Sequence, residues 1–191
     1  MGIVILDTSM SLDGFMTAAG QTPDEPMGTG GLRLMEWVLG DDPRNTALLA
    51  GWVGRLGASI AGRRTYDWSV RWWGADGPSG KARRPLFVVT HEPPSTSPEG
   101  GVYTFVADGI EVALERAQAE AGDADVTIMG GADLGRQYLA AGLVDEIQIH
   151  LVPVLLGGGT RMFEPGERLD LETIEVIETP AAVHQRFRVR R

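Results

Sequence analysis

Cysteine is absent from all 191 residues. Its absence excludes disulfides, thiol nucleophiles and cysteine-ligated zinc or iron–sulfur centres. Histidine is nearly as scarce. His91, His150 and His184 are scattered and show no metal-ligand spacing, so no metal is expected. Long apolar runs are also missing. Gly, Pro or charge breaks each one well short of the ~20 residues that a membrane helix needs, so no membrane partner is expected. The N-terminus runs straight into the apolar residues 3–6, with neither a basic lead nor a small-residue cleavage site. That reads as no signal peptide and a cytoplasmic location. Basic residues are in deficit: 17 Lys and Arg stand against 26 Asp and Glu, for a net charge of −9. So acidic a surface argues against nucleic acid as a partner, because such binding rests on neutralising phosphates with Lys and Arg. It leaves room for a phosphorylated small ligand held by a local basic cluster.

What remains is an ordinary globular composition, long enough to bury a core. Neither a repeat nor a linker interrupts it, so residues 1–191 are expected to form one domain. Short apolar runs predict strands at 3–6, near 60, and at 85–90, 102–106 and 125–129. A longer strand is expected from 144, with Pro153 inside it forcing a bulge or an edge position. Two alternating strands, 171–178 and 182–191, are joined by a turn at Thr179-Pro180. In the last strand Val183, Phe187 and Val189 face one side, and His184, Arg186, Arg188 and Arg190 the other. Helical spacing appears at 32–40, 41–59, 108–122 and 132–142, while 63–68 reads as a basic turn and 71–84 as loop. Strands alternating with helices and ending in a hairpin imply an α/β sandwich, mainly parallel, with an antiparallel edge.

In such sheets ligands bind beyond the carboxyl ends of the strands. Five segments stand there: "DTSMSLDGF", "AGRRTYD", "THEPP", "GGADLG" and "GGGTRMF". Gly62-Arg63-Arg64-Thr65 combines exposed backbone N–H groups, a threonine able to cap a helix, and two guanidiniums able to grip a phosphate. Gly130-Gly131 precedes a helix and offers bare amides at the positive end of a dipole. Each has a plainer reading, a solvated arginine pair and a simple strand-to-helix turn. Together in one sheet they favour a dinucleotide phosphate. The usual fingerprints are missing: no G-x-G-x-x-G follows a strand, and "GPSGKA" lacks the first glycine and the final Ser or Thr of a phosphate loop. Asp13 and Glu36 could orient a substrate N–H or supply a proton, against the plainer readings of an Asp-Gly turn and a solvated helix residue. Ser9 and Ser11 alternate with Met10 and Leu12, so both hydroxyls could face one cleft. Trp37, Trp52, Trp68, Trp72 and Trp73 could stack a flat heterocycle or pack a core or dimer interface.

The segments "SMSLDGF", "AGRRTYD", "FVVTH", "TIMGGADLGRQYL" and "VDEIQIHLVPVLLGGGTRMF", in that order, resemble the dihydrofolate-reductase-like superfamily. The branch they resemble contains the reductase domain of the riboflavin-biosynthesis deaminase-reductase. The resemblance implies a three-layer sandwich with a mostly parallel central sheet and an antiparallel C-terminal edge. It implies an NADPH-dependent reductase of a small heterocycle. The substrate would be a 5-amino-6-(5-phosphoribosylamino)uracil-type pyrimidine, dihydrofolate or a pterin. By the same resemblance Gly62-Arg63-Arg64-Thr65 places Arg63 at the adenosine 2′-phosphate and Thr65 at the pyrophosphate, with the choice of NADPH over NADH resting on Arg63 and Arg64. Thr90 and His91 lie beside the adenosine. Gly130, Gly131, Ala132, Asp133 and Leu134 lie under the pyrophosphate and nicotinamide, with a cis peptide between the two glycines. Ser9 and Met16 flank the nicotinamide. Asp13 is the catalytic candidate, with Ser11, Glu36 and Gly158 near the substrate. A homodimer is expected, since the apolar face of the terminal hairpin needs a cover. A competing expectation is a non-catalytic dinucleotide-binding protein, a sensor or a subunit. A third is an acid-surfaced structural module without a ligand.

Overall fold

A computed structural model of the chain describes residues 2–164, 166 and 168–190. Its strands are β1 (Val4–Ser11), β2 (Phe15–Ala18), β3 (Leu56–Gly62), β4 (Leu86–Val89), β5 (Tyr103–Val106), β6 (Asp125–Met129), β7 (Glu146–Val152), β8 (Gly159–Arg161), β9 (Leu171–Glu178) and β10 (Val183–Val189). Its helices are α1 (Glu36–Leu39), α2 (Pro43–Arg55), α3 (Arg63–Trp73), α4 (Ile110–Ala121) and α5 (Ala132–Ala140). Eight strands make one sheet in the order β5-β4-β3-β6-β1-β7-β10-β9. The strands from β5 to β7 in that order run parallel. β10 then pairs antiparallel with β7, and β9 with β10. The α/β reading with an antiparallel C-terminal edge holds. β2 and β8 form a separate two-stranded ribbon.

Both faces of the sheet are covered. On one face Val4, Leu6, Ala58, Ile60, Val126, Ile128, Ile147 and Ile149 pack against Ala113, Leu114 and Ala117 of α4 and Leu134 and Tyr138 of α5. This is why the central strands read as apolar runs. α5 approaches closely: a Cβ on Gly135 would lie 2.6 Å from Met162 Cε and 3.0 Å from Leu6 Cδ1. The other face has two covers. Tyr66, Val70 and Trp73 of α3 pack over Ala61, Leu86 and Val88. At the opposite end Leu34 and Trp37, joined by Leu49 and Trp52 of α2, pack near Val152 and Ala182. β6 and β1 lie between the two covers. The loop at 19–30 reaches across to α3, where Arg71 donates to Asp24 Oδ1 at 2.7 Å and to the Pro23 carbonyl at 2.8 Å.

Four local expectations change. The helix read over 41–59 ends at Arg55, and Leu56 to Ser59 open β3 instead, where they pair with β6. β1 does not stop at residue 6 but continues to Ser11, because β7 pairs with it as far as Ser11↔Val152. The stretch read as a basic turn is the first half of α3, whose Tyr66, Val70 and Trp73 supply the apolar face that a loop would lack. Pro153 neither bulges β7 nor puts it at an edge. β7 lies between β1 and β10 and ends at Val152, so the missing proline N–H falls just beyond the ladder.

Candidate functional site

At the carboxyl ends of β3 and β6 two helices begin. α3 follows β3 with no loop, since Gly62 ends the strand and is also the helix N-cap. α5 follows β6 across Gly130 and Gly131. Neither helix N-terminus receives a side-chain cap. First-turn amides with no side-chain acceptor, at the positive end of a helix dipole, suit an anion. The two helix starts touch. A Cβ on Gly130 would lie 2.6 Å from Thr65 Cγ2 and 3.0 Å from Thr65 Oγ1, and one on Gly131 would lie 3.6 Å from that oxygen.

The glycine pair reverses the chain by a different device from the one expected. No peptide bond among the described residues is cis, so the expected Gly130–Gly131 cis peptide is corrected to trans. Gly130 and Gly131 have φ of 66° and 84° instead. Those left-handed values turn strand into helix without the ~3–4 kcal/mol of a non-proline cis bond. A second correction concerns Thr65. The helix already starts at Arg63, so Thr65 sits inside the first turn and does not cap it.

Arg63 ties the start of α3 to the turn after β4. Its Nε donates to Asp67 Oδ1 at 2.7 Å, its Nη1 donates to the Glu92 carbonyl, and the buried Thr90 hydroxyl lies 3.5 Å away. Thr90 in turn holds the turn after β4, donating to the Glu92 carbonyl at 2.7 Å. His91 is exposed beside it. Arg64 is exposed, with its guanidinium 5.6 Å from the centre of the Trp68 ring. Ala132 and Leu134 are buried behind the glycines, and a Cβ on Gly131 or Gly62 would lie 3.8 or 4.0 Å from Leu134 Cβ. Asp133 faces solvent and pairs with Arg136. The fold therefore brings Gly62 to Thr65, Thr90, Gly130 and Gly131 to one place.

The β1 end is organised differently. Ser9 accepts a hydrogen bond from Trp37 Nε1 at 2.9 Å. Ser11 is fully buried; its hydroxyl donates to Asp13 Oδ1 at 2.6 Å and accepts from the Phe15 amide at 2.9 Å. Asp13 also accepts from the Leu156 amide at 3.1 Å and the Gly157 amide at 2.7 Å. The Ser11 hydroxyl, with these two amides, holds the Asp13 carboxyl down at about 2, against an opposing push from desolvation. A carboxylate so satisfied fastens the turn after β1 to the glycine turn at 157–159. It is poorly matched to giving up a proton near neutrality. Met16 is half-buried against the main core. Gly158 has open space where a Cβ would be, whereas at Gly159 a Cβ would overlap the Thr17 carbonyl oxygen at 1.8 Å. Glu36 is exposed and pairs with Arg33; its neighbour Trp37 is the residue that turns to the sheet.

A buried polar cluster escaped the sequence reading. Asp7 Oδ2 accepts from Gln148 Nε2 at 2.7 Å and lies 3.3 Å from His150 Nε2. His150 Nδ1 and His184 Nδ1 are 2.9 Å apart, and His184 Nε2 is 3.1 Å from Thr179 Oγ1. Both histidines are buried. Trp37 lies over them, its ring centre 4.1 Å from that of His150 and 4.9 Å from that of His184, and Trp52 lies 4.9 Å from His150. Burial pushes His184 down to about 4, the nearby His150 adds to this, and Asp7 partly opposes it. The available signal was alternation: once β1 reaches Ser11, Asp7 and Ser9 share a face, as do Gln148 and His150 on β7.

Comparison with known proteins fits this geometry. The pattern of the RibD C-terminal domain family matches residues 3–184, and the chain belongs to that family. The chain is 32% identical over 77 residues to the uncharacterized protein YwjB of Bacillus subtilis (strain 168), a match spanning 40% of this chain and 42% of that protein. Among solved structures it superposes on a Shewanella sp. PV-4 protein provisionally named for riboflavin biosynthesis, with a TM-score of 0.68 and 23% identity over 99% of each chain. Acinetobacter baumannii RibD gives a TM-score of 0.68 at 21% identity, covering all of this chain and 59% of that one. Enterococcus faecalis dihydrofolate reductase, solved as a complex with NADP(H), gives 0.62 at 14% identity over 98% and 96% of the two chains. The fold is thus dihydrofolate-reductase-like. No described helix is long and apolar enough to cross a membrane.

Proposed function

We propose that this member of the RibD C-terminal domain family is an NADPH-dependent reductase of a small heterocycle. The observation that carries the reading is the meeting of two helix starts without side-chain caps at Thr65 and Gly130, beside Arg63 and Arg64. Gly130 lets Thr65 sit directly against the start of α5, and the donor set so gathered is amides, a hydroxyl and guanidiniums. That set fits a pyrophosphate carrying a further phosphate. Gly62, Thr65, Gly130 and Gly131 would hold the pyrophosphate, with Ala132, Asp133 and Leu134 forming the helix start below it. Arg63 and Arg64 would take the 2′-phosphate, and Thr90 and His91 would lie along the adenosine. Ser9 and Met16 would border the nicotinamide. When bound, the cofactor supplies the hydride, and the protein supplies orientation and exclusion of water. Asp13 holds the Ser11 and 156–157 segments together at the edge of the substrate region, near Gly158. The substrate class is a pyrimidine or pterin of the riboflavin or folate type. The protein acts as one domain and a homodimer in the cytoplasm, where NADPH is kept reduced. Calorimetric titration with NADPH tests the reading: saturable binding is expected, and no heat at millimolar cofactor overturns it.

One observation favours a second reading, a dinucleotide-binding protein without turnover. The Asp13 carboxylate is already engaged by Ser11 and two amides. NADPH oxidation in the presence of dihydrofolate, a dihydropterin or the riboflavin-pathway aminopyrimidine excludes that reading; binding without oxidation across the set supports it.

A further inference from the structure

The polar chain from Asp7 to Thr179 has one wet end. The Asp7 side chain is 29% exposed, whereas that of His150 is 1% exposed. His184 and Thr179 are buried behind it, under Trp37 and Trp52. Asp7 stands opposite Met129 in the register of β1 with β6, one residue before Gly130, on the sheet face between the two helical covers. Among the described members of the chain Asp7 is thus the one open to solvent, on the strand residue that pairs with Met129 just before the glycine turn.

Counting hydrogens shows what the chain can hold. The Nδ1–Nδ1 contact needs one ring to donate and the other to accept. With one extra proton, His150 donates from Nε2 to Asp7 and from Nδ1 to His184. His184 then donates from Nε2 to Thr179, whose hydroxyl donates to the Ala182 carbonyl 3.1 Å away. Without that proton, His150 still donates to Asp7, His184 donates from Nδ1 to His150, and the Thr179 hydroxyl turns to His184 Nε2. Every ring nitrogen is satisfied in both arrangements, which is the condition for tolerating such a chain in a core. His184 is neutral in both. Every ring nitrogen is spent on its neighbour in the chain, so the pair does not aim at a common centre as metal ligands would. The charged groups on the same face are Glu146 of β7 and Arg186 of β10, which pair with each other, and Glu175 of β9, which stands opposite Arg186. β9 places Ile177 opposite His184, and α1 and α2 present Trp37 and Trp52.

We propose that Asp7 is the group that delivers the proton in the reduction, and that His150, His184 and Thr179 are positioning residues that hold this proton in reserve. The inference rests on the reductase reading. When bound, the dihydronicotinamide would supply the hydride for the carbon of a substrate C=N or C=O bond, leaving the nitrogen or oxygen in need of a proton. The proton for the nitrogen or oxygen comes from the Asp7 carboxyl, which takes it from His150 Nε2. That leaves His150 neutral in a third arrangement, its bare Nε2 facing the Asp7 carboxylate, which lasts only until a proton from water returns through the exposed carboxylate. The substrate therefore presents a basic nitrogen or oxygen at the β1–β6 floor.

The test is direct because the chain has three histidines. In the full-length protein labelled with 15N-histidine, the imidazole nitrogens are followed by NMR between pH 5 and 8, with exposed His91 as the internal reference. His184 is expected to stay neutral. His150 is expected to be doubly protonated over a range that Asp7→Asn abolishes and Thr179→Val shifts, the second variant serving should the first fail to fold. A His150 titration unchanged in both variants overturns the relay. With a substrate that is turned over, Asp7→Asn is expected to lower kcat about 100-fold or more, within the usual range for losing a general acid. It is also expected to remove the alkaline limb of the kcat profile and to leave the NADPH Kd unaltered. Unaltered kcat and pH profile overturn the proposal. Failure of wild-type protein to bind NADPH overturns the reductase reading, and with it the delivery step, whatever the NMR shows of the relay.

Discussion

Gly130 lies against Thr65 with no room for a methyl group between them: a Cβ there would come within 2.6 Å of Thr65 Cγ2. Two motifs that are weak apart are one object in the fold, because β3 and β6 are neighbours and each hands its chain to a helix at the same edge.

Gly130→Ala is expected to lower both stability and cofactor affinity. An L-residue at φ 66° costs about 1–2 kcal/mol on backbone grounds. The overlap with Thr65 adds to that. Thr65→Ser removes the offending methyl, so the alanine should cost less in the serine background. Thermal unfolding and NADPH titration of the two single variants and the double variant measure this. An equal cost in both backgrounds would show that the contact is not the cause.

Arg63→Ala is expected to weaken NADPH binding about tenfold or more, the scale of a lost hydrogen bond to a charged group. NADH, which lacks the 2′-phosphate, should lose far less. Paired titrations with the two cofactors decide it, and equal losses refute the assignment. The loss of the Arg63 contacts to Asp67 and Glu92 also loosens the turn after β4, which a modest fall in melting temperature would register.

Asp13 ties stability to acid pH. Its folded value of about 2 lies below the ordinary 3.8. The unfolded chain therefore binds the proton more readily, and the contribution is complete above about 4 and lost as pH falls toward 2. Asp13→Asn should lower the melting temperature at pH 7, with a difference from wild type that shrinks steadily below pH 4. A difference independent of pH would mean that the carboxylate charge is not what holds the 156–157 amides.

His184 acts in the next window up. Its folded value of about 4 is below the ordinary 6.5, so the unfolded state takes up a proton first as pH falls. Stability is fully present above about 6.5 and declines toward 4. Urea unfolding of wild type and His184→Gln at pH 7.5, 6 and 5 should show a steeper decline for wild type. Parallel declines would assign the loss to other groups.

The hairpin edge carries the expected association. Leu171, Ile174 and Val176 of β9 are exposed, and among the described residues β9 has no partner strand on its outer side. An apolar edge strand invites pairing. Light scattering on eluted protein is expected to give a dimer, and Val176→Lys to shift it toward monomer. A monomer in wild type would remove the dimer from the proposed function.

The strand ends were readable because their signals are local. Paired glycines, a Gly-Arg-Arg-Thr step and an Asp-Gly turn each report a backbone that must turn or be approached, and neighbours in sequence decide that. Alternation in 183–189 correctly put His184 opposite Phe187, since the pleat has period two. Local signals misled where a longer-range condition ruled. A proline inside an apolar run suggested an edge, but β7 simply ends before it. An Arg-rich stretch suggested a loop, but the core beneath β3 and β4 needed the apolar face of α3. Two glycines and a family resemblance suggested a cis bond, but two left-handed residues make the same turn at lower cost.

Sheet faces, acidic charge and the glycine turns thus belong to the amino-acid order alone, because pleat, charge and backbone freedom act over a few residues. The order of strands in the sheet is of another kind. It is settled by which pairing buries the most apolar surface while satisfying every backbone group, a condition on the whole chain at once. That condition alone set Gly130 on Thr65, and it alone laid β10 against β7 so that His150 met His184. Two histidines read as scattered along the chain became one buried relay, because antiparallel register makes neighbours of residues that sequence distance keeps apart.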